Sequence, residues 1–180
     1  MEHVRKQAVG VDISKDNFAA SLVVVIASDG RVERRRRRKF PNTLIGFQQL
    51  NDWLNKYTLP EVYLVIMMEA TGVYHEELAY YLHREKYAVS IQLANKVKAF
   101  AHSLNTYSKT DPIDADIIAR MAAERVVKLW EPMSKNMLEL KSLSRQREQL
   151  VKEKTRAIKR LHAARNDACK STQNKDHNEI

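Results

Sequence analysis

Apolar positions recur along this chain with two periods, one of two residues and one of three to four, and their order predicts an α/β domain followed by one long helix. Gln7 to Val25, QAVGVDISKDNFAASLVVV, reads as a β-hairpin. Ala8 to Val11 is its first strand and ends on Asp12, Ser14 to Asn17 is the turn, and Phe18 to Ile26 is an apolar second strand. Ser28-Asp29-Gly30 supplies a tight reversal into a third strand, Arg31 to Phe40. Leu44, Phe47, Leu50, Trp53 and Leu54 then share a stripe, so a helix capped by Asn42 or Thr43 runs to about Lys56 and buries Trp53.

After the break at Leu59-Pro60, Glu61 to Met68 is apolar on both faces, as a strand covered by helices on two sides must be, and it ends at Glu69. A helix follows from His75 to Arg84, with Leu78, Tyr81 and Leu82 inward. Tyr87 to Leu93 is another strand, and Lys96 to Leu104 is a short basic helix on Val97, Phe100 and Ala101. The opening hairpin makes this sheet mixed. Asp111-Pro112 reads as a helix start, Asp111 the cap and Pro112 the first residue, with Ile113, Ile117, Ile118 and Met121 as contacts and an end near Val127.

Trp130-Glu131-Pro132 marks a boundary between an α/β domain over 1–130 and a helical segment over 131–170. Ser134 to Cys169 lacks Gly and Pro, and Leu140, Leu143, Leu150, Ile158, Leu161 and Ala164 fall near a helical stripe that Arg147 and Lys154 interrupt. Such a helix fits a coiled coil seeking a partner, which predicts a homo-oligomer. Residues 171–180 read as a polar, frayed tail.

With 44% hydrophobic and 29% charged residues over 180 positions, the chain is globular with one good core. No stretch approaches the length of a membrane span, and the N-terminal residues lack the apolar region of a secretory signal. The single cysteine, Cys169, excludes an internal disulfide and a cysteine-based zinc site within one chain.

The net charge of +9 favours nucleic acid or another polyanion. Residues 131–180 hold 12 basic and 7 acidic side chains, so the excess is concentrated there. The densest run is nevertheless in the third strand: Arg34, Arg35, Arg36, Arg37, Arg38 and Lys39. Alternation sends Arg34, Arg36 and Arg38 to one face and Arg35, Arg37 and Lys39 to the other, so this strand belongs at an edge. It serves as a charged guard against edge pairing, as a phosphate-binding ribbon, or as both.

Four acids are candidates for chemistry. Asp12 and Glu69 lie at strand ends, and Asp111 and Asp114 share one side of a helix start. Four carboxylates drawn together need a cation, and oxygen-only ligands favour Mg2+ or Mn2+, which serve phosphodiester chemistry. Each acid also has a plain structural use: Asp12 as a turn former, Glu69 as a polar strand end, Asp111 and Asp114 as a helix cap and its first-turn acid. Spacing does not choose between them. Asp116 faces elsewhere on the helix, toward solvent, and His75 reads as a satisfied surface histidine.

GVDISKDNF around Asp12, MEATGVYH around Glu69, the ANKVKAFAHS segment and above all KTDPIDADIIAR from Lys109 to Arg120 resemble the N-terminal domain of the DEDD transposases of the insertion sequence 110 family, relatives of a pilin-gene DNA invertase. The resemblance runs from Val9 to about Val127. It departs in lacking a proline near Asn95 and an arginine where Pro112 stands. It implies a ribonuclease H-like, RuvC-like mixed sheet with flanking helices, and a tetrad of Asp12, Glu69, Asp111 and Asp114 that is catalytic and holds Mg2+ or Mn2+.

It also implies DNA and a structured guide RNA as partners, with Arg34 to Lys39, Lys96, Lys98 and Lys109 as backbone contacts, and a cytoplasmic, nucleoid-associated protein in a prokaryote. Family members continue into a second domain with a serine nucleophile, which Ser134, Ser142 and Ser144 do not match. The expected function is thus the N-terminal metal- and nucleic-acid-binding part of an RNA-guided transposase, inactive in recombination by itself. The alternatives are a stand-alone metal-dependent nuclease acting on branched DNA and a non-catalytic RNA-binding and dimerisation module.

Overall fold

The computed structural model describes residues 3–70, 72–104 and 114–176, and the hairpin at its start is longer than its sequence signals suggest. Strands β1 (Val4–Ile13) and β2 (Asn17–Ile26) pair antiparallel over their whole length, and the turn is closed by Ser14, whose backbone N–H (2.9 Å) and hydroxyl (2.7 Å) both donate to the Asn17 carbonyl. Strand β3 (Val32–Pro41) pairs with β2, while β4 (Leu64–Glu69) lies parallel to β1 and β5 (Ala88–Gln92) parallel to β4. The sheet order is β3-β2-β1-β4-β5, so the basic strand is an edge, as its two charged faces require.

Helices cover both faces. Val9, Val11, Phe18, Leu22, Ile66 and Met68 point to one side, against α1 (Leu44–Tyr57) and α2 (Glu76–Arg84). Ala8, Val23, Val25, Val65 and Met67 point to the other, against α3 (Ala94–His102) and α4 (Ala115–Glu124). Trp53 is buried edge-on to Phe40, which confirms its place in the core. Leu44, counted in the same stripe, is 58% exposed, because it opens α1 before the first full turn reaches the sheet.

Three expectations change. Helix α4 starts at Ala115, and its cap is Asp114, whose Oδ1 accepts from the backbone N–H groups of Asp116 (3.0 Å) and Ile117 (3.2 Å); Asp111 lies outside the described residues. Asp114 is the acid next to the buried run Ala115, Ile118, Ala119 and Ala122, so it, rather than an acid three residues earlier, meets the first orphan donors. His75, expected at the surface, is buried at the start of α2. Helix α5 (Lys135–Asp176) continues into the stretch read as a polar tail, where no Gly or Pro interrupts it.

The chain forms two compact units, Met1–Pro132 and Met133–Ile180. In the second, Leu140, Leu143, Leu150, Ile158 and Leu161 are all exposed on α5. Among the described residues no helix is long and apolar enough to cross a membrane.

Candidate functional site

Parity along β1 and β4 decides where the acids point. Val11 pairs with Met68, both toward α1 and α2, so the next residues, Asp12 and Glu69, end adjacent parallel strands on the α3 and α4 side. Ligand sites of open α/β sheets form at such carboxyl ends. Helix α4 brings Asp114 to the same place because β1 lets it come close. A Cβ on Gly10 would stand 2.1 Å from Ala119 N and 2.2 Å from Ala115 O, so only glycine admits the helix backbone there. Gly10 pairs with Ser21, another small residue, and Lys6 at the start of β1 donates to the carbonyls of Ala122, Ala123 and Arg125 that close α4.

Asp12 opens to solvent at the strand end, but its flank is enclosed. That partial burial, and next the Asp114 carboxylate, push its pKa above the ordinary 3.8, against the opposing pull of Arg37 and Lys39. Two carboxylates near enough for one to raise the other's pKa favour a cation between them. Their donors are all oxygen, so in chemistry they fit a hard divalent ion such as Mg2+ or Mn2+. Among the described residues no three acidic, histidine or cysteine side chains stand close enough to hold one. Glu69 is half-buried on the same face, and Asp111 is not described.

The basic ribbon does not alternate as expected. Leu22 pairs with Arg36 and Val23 with Arg34, which leaves Arg35 as an extra residue in a β-bulge. The bulge shifts parity, so Arg34 and Arg37, three apart, both face α4. Arg34 Nη1 donates to Asp116 Oδ2 at 2.7 Å, and Arg37 Nη1 donates to Asp114 Oδ2 at 3.1 Å and approaches Asp116 Oδ2 at 3.5 Å. Lys39, level with Ala19 and hence with Asp12, completes this group.

Arg36 lies over the Tyr57 ring (5.0 Å) and Arg38 over Phe40 (5.1 Å) on the opposite face, where their stems cover aromatic surface. Arg35 pairs with Glu33 at 3.2 Å. Of the helical bases, Lys96 and Lys98 are exposed on α3, and Lys109 lies outside the described residues.

Asp116, expected to face solvent, is therefore a buttress between β3 and α4. Burial by itself would raise its pKa; Ser21, then the hydrogen bond and charge of Arg34 and the charge of Arg37, outweigh this and hold it below the ordinary range. Its Oδ1 and the Ser21 hydroxyl are both buried without a direct hydrogen-bond partner among the described residues. Sequence reading missed Asp116 because a helical wheel places it off the apolar stripe, and the bulge that brings Arg34 and Arg37 to it leaves no mark in six consecutive bases.

Comparison with known proteins fits this architecture. RuvC of Thermus thermophilus superposes with a TM-score of 0.50 at 11% identity, over 69% of this chain and 99% of that one, which defines the unit as RuvC-like in fold. The DEDD transposase model of the IS110 type matches residues 9–167, and the chain belongs to that transposase family. It is 34% identical over 155 residues to the pilin gene-inverting proteins of Moraxella bovis and Moraxella lacunata, across 84% of this chain and 46% of each relative. The chain thus spans about half the length of the curated relatives it matches.

Proposed function

We propose that this chain is the metal- and nucleic-acid-binding part of a DNA transposase or recombinase, in which Asp12, Glu69, Asp111 and Asp114 hold Mg2+ or Mn2+ for strand transfer. The observation that carries the reading is the meeting of Asp12 and Asp114 at the carboxyl end of β1, on the face where Arg34, Arg37 and Lys39 border them. A backbone phosphate held by those bases would lie beside the acids, with β1 and α4 as rigid supports beneath. The ion, when bound, would neutralise the carboxylates and activate an oxygen nucleophile or stabilise a leaving oxygen.

In this chain, Asp12 and Glu69 would orient the ion from strand ends that cannot move independently, and the bases would set the register of the nucleic acid without reading its sequence. The nucleophile would be a serine supplied by a further domain, and the guide a structured RNA bound in part through Lys96, Lys98 and Lys109. The exposed leucines of α5 would join copies of the chain. The protein would work in the cytoplasm, at the nucleoid.

Calorimetric Mn2+ titration of the wild type against the double variant Asp12→Asn with Asp114→Asn tests the site. Binding by the wild type and none by the variant is expected; equal binding by both would refute it. For the ribbon, replacing Arg34, Arg37 and Lys39 with Gln should lower the salt dependence of DNA or RNA binding by about one unit of slope for each phosphate the protein no longer neutralises. Replacing Arg36 and Arg38 should lower it less.

A further inference from the structure

If Asp12 and Asp114 hold a metal, as proposed above, Asp114 must first give up a partner. Both of its oxygens are engaged: Oδ1 accepts from two backbone N–H groups at the start of α4, and Oδ2 accepts from Arg37 at 3.1 Å. The first engagement is structural and compatible with metal ligation through the other oxygen. The second is not, because a guanidinium at Oδ2 fills the place and the charge that a cation would take. Arg37 nevertheless already leans toward another acceptor, Asp116 Oδ2 at 3.5 Å, which Arg34 also holds at 2.7 Å.

We infer that Arg37 is a built-in counterion that occupies Asp114 until a divalent cation replaces it, and that Asp116 is the positioning residue that takes up the guanidinium when it leaves. The exchange needs only a side-chain swing of Arg37, whose side chain is 39% exposed, between two carboxylates two residues apart at the start of α4. It leaves the helix cap intact, since Oδ1 is not involved. It also explains why an acid that is no candidate ligand sits at this border, and why the bulge at Arg35 matters: without it Arg34 and Arg37 would face opposite sides of the sheet.

The test is calorimetric Mn2+ affinity in four variants, each checked for folding by circular dichroism. Arg37→Gln is expected to bind roughly two- to fivefold more tightly than the wild type, the range of a partly exposed ion pair. Arg38→Gln, which removes the same charge from the same strand but on the other face, should stay near the wild-type value. Asp116→Asn should bind more weakly, because Arg37 then has no second acceptor, and adding Arg37→Gln to it should restore the affinity of Arg37→Gln alone.

If Arg37→Gln and Arg38→Gln behave alike, or if the weaker binding of Asp116→Asn persists without Arg37, the counterion exchange is wrong while the metal site stands. If neither the wild type nor any variant binds Mn2+, both the exchange and the metal site are wrong.

Discussion

The two faces of the sheet are built on opposite rules. Toward α1 and α2 the side chains are large, with Phe18 stacked on Phe40 at 5.3 Å and Phe47 against Tyr81 at 5.6 Å. Toward α4 small residues line the closest approach: Gly10 and Ser21 on the sheet, and Ala115, Ala119, Ala122 and Ala123 on the helix. Bulk on the first face supplies apolar burial and holds the unit together. Smallness on the second lets a helix backbone approach a strand backbone, and that closeness puts Asp114 beside Asp12. The chemistry sits where the packing gives proximity, and the stability comes mostly from the other side.

The sharpest way to break this contrast is a side chain at Gly10. Gly10→Val is expected to cost about 3 kcal/mol or more in thermal or urea unfolding, because the atoms it meets belong to backbone and cannot turn aside, and it should abolish Mn2+ binding. Phe18→Leu, on the face of large residues, should cost about 1 kcal/mol while leaving Mn2+ affinity unchanged. Equal loss of metal binding in the two would erase the distinction between the faces.

Within the α4 face, pH separates the two acids by sign. Asp116 has a folded pKa below its unfolded value near 3.8, so its stabilisation is present above that value and lost as pH falls through the folded one; Asp116→Asn should flatten acid unfolding in that window. Asp12 has a folded pKa above 3.8, so stability falls as pH rises from there through the raised value. Asp12→Asn should remove that slope and stabilise the protein at pH 7 by less than about 1 kcal/mol, an amount kept small by solvent screening. A destabilised Asp12→Asn would mean that Asp12 supports the fold.

Much of this was legible in the sequence. The hairpin, the two later strands, the helices on either face and the acids at the ends of β1 and β4 follow from apolar periodicity and turn residues, and the edge position of β3 follows from bases on both its faces. What escaped was set by tertiary contact. Asp111 reads as the cap because Pro112 suits a first helical position, and packing of Ala115 and Ile118 onto the sheet makes Asp114 the one that caps α4. Gly10 reads as an ordinary strand residue until a helix is seen to lie against it. Lys6, in a polar lead-in, gave no hint that it closes a helix 116 residues away. The parity of Arg37 depended on one unpaired residue.

Strand β1 meets α4 at two levels: Lys6 at its last carbonyls and Gly10 under its middle. A helix held at its C-terminal end and its centre by one strand cannot slide along it without breaking both. Amide protons of β1 and α4 should therefore exchange with deuterium as a single cooperative block, opening together and last. Breathing at this end of the sheet is left to side chains such as Arg37.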